Sequence, residues 1–147
     1  MEKLKERYEQ LLRAYSRLQY MVTTFVNLQN KAQQTSITIE SENELITHRD
    51  ALITRFSFCY DLTWKFFKAL LKVKYSIDVT SPRKVFQECY QHNIFSEKEM
   101  ELLLTMIDAR NETSHIYDES KADIVSKRIV TYYATLSEIA HRIKTDI

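Results

Sequence analysis

The chain contains no glycine and a single proline in 147 residues. Sheet proteins place glycine at turns and bulges, and phosphate-cradling loops need it where the backbone approaches a ligand closely. A chain without it is restricted to long helices joined by short polar turns. The same absence removes the dinucleotide-binding and P-loop readings, both of which are built on glycine-rich loops. Disorder is excluded from the other side: 44% of the residues are hydrophobic and 12% are aromatic, enough to build a packed core. The length suits one domain covering residues 1–147.

Hydrophobic periodicity supplies the helices. Leu4, Tyr8, Leu11, Tyr15, Leu18, Val22 and Phe25 alternate steps of four and three, the spacing of a narrow heptad seam. They predict a long helix over 3–30. The polar, β-branched stretch NKAQQTSITIES (30–41) breaks the pattern and reads as a loop. Ser41-Glu42-Asn43-Glu44 has the form of a capping box and opens a second helix reaching Tyr75. There Leu45, Leu52, Phe56, Cys59, Phe66 and Leu70 make one stripe, and Ile46, Ile53, Tyr60, Phe67 and Leu71 an adjoining one. A face that wide predicts the most buried helix.

Ser81-Pro82 is a helix start, serine as the cap and proline in the first turn, for a short helix ending near Asn93. Ser96-Glu97-Lys98-Glu99 is another capping box, with Met100, Leu103, Leu104 and Ile107 inward. Ser120-Lys121-Ala122-Asp123 opens the last helix, where Val125, Ile129, Tyr132, Leu136, Ile139 and Ile143 step by four and three. The expectation is an all-α, antiparallel up-and-down four-helix bundle with one extra short helix. Any length of the first or last seam left uncovered would be covered by a second copy, so a homodimer is expected.

Net charge is +1, so overall electrostatics neither requires nor forbids a nucleic-acid partner. Cys59 and Cys89 stand alone, without a CxxC or a Cys/His ligand cluster, and no metal site or cofactor is expected. The start, MEKLKERYEQ, is too charged for a signal peptide, and no apolar run approaches the ~20 residues that span a bilayer. The expectation is a cytoplasmic protein without membrane contact.

One stretch resists the helical reading: DARNETSHIYDES, residues 108–120. Arg110 and His115 are five apart, which puts them ~140° from each other on a regular helix. Asn111, Thr113 and Ser114 are poor helix formers that bond readily to nearby backbone, so the helix is expected to distort or end between the pair. A guanidinium grips two phosphate oxygens at once, and an imidazole moves protons near neutrality. RNA cleavage through its own 2′-hydroxyl needs only a proton acceptor, a proton donor and charge stabilisation, hence no metal. The same residues also fit a plain helix end. His115 would then gain from the helix dipole, and Arg110 would pair with Asp108, Glu112 or Asp118 at the surface.

RNETSHIYDE resembles the motif of the HEPN superfamily, helical bundles with an arginine, a polar residue, a short spacer and a histidine. The continuation His115-Ile116-Tyr117 is similar to the H-x-Tyr ending of HepT-like toxins. The same stretch, the aromatic segment FCYDLTWKFFKALL (58–71) and the length also resemble the bacterial nucleotidyltransferase substrate-binding protein family.

The resemblance implies a subunit of a two-gene module with a minimal nucleotidyltransferase. It implies a toxin-like, metal-independent endoribonuclease in which two protomers join their motifs. Arg110 would contact the scissile phosphate, His115 would do the acid–base work, Asn111 would orient it, and Tyr117 would accept AMP from the partner. The other implied role is a non-catalytic subunit that binds nucleotide or substrate for the nucleotidyltransferase. The chain has no transferase carboxylate motif of its own beside a Gly-Ser turn. Asp61, in the apolar second helix, either supports the motif from behind or pairs with Lys65 four residues on. Trp64 and its phenylalanine neighbours read as packing. Arg83 and Lys84, at a helix start, read as a solvated face or a phosphate contact. His48, His92 and His141 have no ligand-like partners.

Overall fold

The computed structural model describes residues 2–147, and among them every regular element is helical. Helix α1 spans Glu2–Gln34, α2 Ile39–Tyr75, α3 Pro82–Gln91, α4 Glu97–Glu112 and α5 Glu119–Arg142. Short 3₁₀ turns follow α4 (Thr113–His115) and α5 (Ile143–Asp146).

The antiparallel course is set by cross-helix contacts. Tyr8 near the start of α1 donates to the Ala140 carbonyl near the end of α5 at 2.7 Å. Tyr15 on α1 meets Thr63 on α2 at 2.6 Å, and Arg142 on α5 reaches Glu99 at the start of α4 at 2.8 Å. Helices α1, α2, α4 and α5 thus run up, down, up and down, with α3 bridging α2 to α4.

The predicted seam of α1 is the buried face: all of Leu4, Tyr8, Leu11, Tyr15, Leu18, Val22 and Phe25 are buried. The α5 seam from Val125 to Ile139 is buried as well. Both seams are therefore covered within one chain and leave no stripe that requires a second copy. Each large apolar side chain so enclosed contributes about 1.5–3 kcal/mol. Helix α2 carries eleven buried residues, the most of any helix. Phe66, Phe67, Phe86 and Phe95 form a cluster of tilted and edge-on pairs where α3 meets it. Trp64 is half-buried against the same core.

The boundaries differ from the periodicity in two places. The loop is only residues 35–38, because α1 persists to Gln34 and α2 starts at Ile39. Thr38, not Ser41, caps α2; Ser41 is the third residue of the helix and closes that capping box. At α5 the cap is Asp118, which accepts from the Lys121 N–H, rather than Ser120. Both errors share a cause. Where Ser, Thr and acidic residues crowd together, several neighbouring positions match the capping pattern, and the local pattern does not rank them. Ser81 and Ser96 cap α3 and α4 as their sequences indicate.

Arg49 is the first buried residue of α2, and α5 begins beside it. The ten residues Ile39–His48 thus extend past the start of α5 together with the end of α1. At ~1.5 Å per residue this is a hairpin arm of ~15 Å. Among the described residues, no helix is long and apolar enough to cross a membrane.

Candidate functional site

The stretch from Asp108 to Ser120 is where α4 stops being an α-helix. Arg110 and Asn111 lie in its last turn, Thr113–His115 form the 3₁₀ turn, and Asp118 begins the next helix as its cap. Thr113 is the pivot. Its hydroxyl donates to the Arg110 carbonyl at 2.6 Å and accepts from Arg110 Nη1 at 3.1 Å. Ser57 Oγ on α2 lies 3.2 Å from the same oxygen. A hydroxyl has one donor and two acceptor positions, so Thr113 is fully used. The Thr113 side chain thus adds a second bond to the Arg110 carbonyl, which also accepts the Thr113 backbone N–H, as the helix ends.

Arg110 is half-buried and only partly engaged. Its Nη2 lies 3.9 Å from Asp61 Oδ2 on α2, an ion-pair distance too long for a good hydrogen bond. Its Nε is shielded from solvent and has no partner among the described residues. A buried N–H left without a partner costs about 1–3 kcal/mol. The ion pairs with Asp108, Glu112 and Asp118 allowed by the sequence do not form: Glu112 pairs with Lys121 and Asp118 caps α5. Asp61 faces Arg110 and does not pair with Lys65.

Tyr60, next along α2, lies between these charges. Burial pushes its phenol up to about 12, Asp61 pushes the same way, and Arg110 and Arg83 pull it down. Both guanidinium groups thus act on one buried phenol. Arg83 is exposed at the start of α3. Phe58, on the same turn of α2, is 54% exposed, with Arg55 lying 5.6 Å over its ring.

His115 faces Tyr117. His115 Nδ1 and the Tyr117 hydroxyl are 3.2 Å apart, and the two rings meet edge to face at 5.8 Å and 72°. The backbone turn is closed by the Asp118 N–H donating to the His115 carbonyl at 2.9 Å. Tyr117 is 79% exposed. The structure joins Arg110 to Asp61 and Thr113, and His115 to Tyr117. No hydrogen bond or ion pair joins Arg110 to His115. Asn111 is exposed, and only its carbonyl is engaged, by Ser114 Oγ at 3.0 Å, so its side chain does not orient His115 within one protomer.

The sequence reading missed Ser57. It sits four residues before Asp61, on the same face of α2, and that spacing is the signal that both look toward the end of α4. It missed Arg49 as well. Arg49 is 4% exposed and binds Glu119 at 2.6 Å, Asp123 at 3.0 Å and Asp50 at 3.0 Å. It fastens α2 to the start of α5, just beyond the motif.

A model of the family "Nucleotidyltransferase substrate binding protein like" matches residues 6–145. The chain belongs to that family. Its fold is that of the HEPN proteins. A protein of Thermus thermophilus is 24% identical, with a TM-score of 0.66 over 86% of this chain and 98% of that one. A tri-AMPylated HEPN toxin of Shewanella oneidensis, in complex with its MNT antitoxin, superposes with a TM-score of 0.60. That pair is 15% identical, over 92% of this chain and 96% of the toxin chain. A toxin–antitoxin structure with AMP-PNP gives a TM-score of 0.63 at 14% identity, over 91% and 97% of the two chains. No curated protein matches the sequence. Within this family member the Arg110–Tyr117 stretch spans the last turn of α4 and the turn that leads to α5.

Proposed function

We propose that this family member is the HEPN subunit of a two-component module with a minimal nucleotidyltransferase, and that its motif is a metal-independent endoribonuclease site. The observation that carries the reading is the under-used Arg110. Its guanidinium is held in place by Thr113 and Asp61, yet the side chain is partly exposed and its Nη2, 3.9 Å from Asp61, makes no good hydrogen bond, which leaves it for a phosphate oxygen. His115 is anchored two residues before the exposed Tyr117 and supplies acid–base capacity on the same turn. Two protomers bring two such turns together. Exposed Phe58 and Tyr117 beside the motif give that face the apolar surface an interface buries. Asn111, free of side-chain partners in one protomer, takes its orienting role on the histidine in the dimer. The partner adds AMP to the hydroxyl of Tyr117, an exposed residue; the Shewanella toxin is itself AMPylated. RNA is the substrate, and the site of action is the cytoplasm.

A second reading has its own support: the matching family is described by substrate binding for a nucleotidyltransferase. In that reading the turn holds a nucleotide or substrate and performs no cleavage.

One experiment separates the two. Purified wild type, Arg110→Ala and His115→Ala are incubated with RNA, with circular dichroism as the check on folding. The ribonuclease reading predicts cleavage by wild type alone. Loss of a positioned acid–base group lowers rates by about 10²–10⁴, and both changes leave the buried core untouched. Intact RNA with the wild type, together with ATP binding that the variants lose, supports the second reading. Variants that only melt earlier make Arg110 and His115 structural and defeat both.

A further inference from the structure

Nine tyrosines occur in the chain, and three of them, Tyr20, Tyr75 and Tyr117, are exposed. Exposure alone therefore does not single out one acceptor. What distinguishes Tyr117 is its neighbour. Its hydroxyl is the only one of the three, among the described residues, within hydrogen-bond distance of a group that takes up a proton. The Tyr75 ring lies 4.7 Å from the His92 ring, but its hydroxyl makes no bond to it, and Tyr20 has no such neighbour.

We propose that His115 is the proton acceptor that activates Tyr117 for nucleotidyl transfer, a proposal that rests on the modification reading above. A phenol is a poor nucleophile until its proton leaves, and a general base must lie within hydrogen-bond reach of that proton. With Nδ1 unprotonated, the Tyr117 hydroxyl donates to it across 3.2 Å. The arrangement is pre-set. The residues are two apart on a turn closed by the Asp118 N–H, and the edge-to-face rings hold the hydroxyl against the nitrogen. Stability does not explain it, because a hydrogen bond between two solvent-facing side chains adds little to folding.

The step balances. Tyr117 Oη attacks the α-phosphorus of a nucleoside triphosphate held by the nucleotidyltransferase. The Oη–P bond forms as the bond from that phosphorus to the bridging oxygen breaks. Pyrophosphate leaves with the electron pair, and the phenolic proton passes to His115 Nδ1. The imidazolium returns a proton to water from Nε2, which has no protein partner among the described residues. His115 thereby serves two reactions: proton transfer in RNA cleavage, and activation of the tyrosine that receives AMP. Tyr20, equally exposed and lacking a base, is the built-in negative control.

The test incubates the full chain with the minimal nucleotidyltransferase that the module reading assigns to it and ATP, and follows AMP addition by mass spectrometry with residue mapping. Wild type gains AMP at Tyr117 and not at Tyr20. His115→Asn, which keeps a polar side chain but cannot accept the proton, is slowed by about 10²–10⁴ with unchanged circular dichroism. His115→Ala is equally slow and is partly restored by added imidazole. Modification of His115→Asn or His115→Ala at the wild-type rate overturns the base and leaves the modification reading standing. Full activity of His115→Asn with a slow, imidazole-insensitive His115→Ala makes the histidine a positioning residue and also overturns it. A wild type that gains no AMP at Tyr117 defeats the modification reading and this proposal together.

Discussion

Glu99 is held from two sides. Its Oε1 accepts from the Ser96 N–H at 2.8 Å in the α4 capping box, and both carboxylate oxygens accept from Arg142 at 2.8 and 2.9 Å. Burial raises its pKa, but the Arg142 and Ser96 hydrogen bonds outweigh that and hold it below the ordinary value of 4.5. A carboxyl depressed in the folded state stabilises the fold above its unfolded pKa and loses that contribution as pH falls through the lower folded value. Glu99→Gln is therefore expected to cost about 1 kcal/mol at pH 7. Its urea midpoint should approach that of wild type as pH falls below about 4. The two thiols are a contrasting case. Burial pushes Cys59 up to about 12 and raises Cys89 further, so both behave as small core hydrophobes, as their isolated positions indicate.

At the scale of elements, a chain without glycine must still end its helices. Asn93 adopts φ 60° and closes α3 in a Schellman turn, with Ile94 N–H to the Cys89 carbonyl at 2.8 Å and Asn93 N–H to the Tyr90 carbonyl at 3.0 Å. Ser76 takes φ 56° after α2, where a side chain other than asparagine or glycine is strained. Ser76 is exposed, so Ser76→Gly removes the strain without opening the core. It is expected to stabilise the protein by about 0.5–1 kcal/mol, the relief of strain less the added unfolded-state entropy, read as a higher melting temperature. An unchanged or lower melting temperature would contradict this account of the turn. The long elements were legible because the seam residues of α1 and α5 recur at a period that only a helix buries. The arginine clasp was not legible. Arg49 reads as an ordinary surface charge, and its burial depends on Glu119 and Asp123 some seventy residues away arriving beside it. The motif was legible as residue types and not as contacts. The pairing of Arg110 with Asp61 depends on the register between α4 and α2, which no local pattern encodes.

For the whole molecule, the closed α1 and α5 seams shift the case for association to the motif face. There Tyr117 and Phe58 are exposed while every residue of the α1 seam is buried. Sedimentation at micromolar concentration should show a two-chain species, and Phe58→Asp should shift it toward one chain by placing a charge in an apolar contact. A strict monomer in both proteins would remove the composite site. We propose that the end of α4 and the turn before α5 cleave RNA by transferring protons through His115, with Arg110 on the phosphate. End-group analysis of a defined RNA incubated with the wild-type protein in EDTA decides the question. The expected product carries a 2′,3′-cyclic phosphate, absent with His115→Ala and Arg110→Ala; intact RNA with the wild type, or the same ends from all three proteins, would contradict the claim.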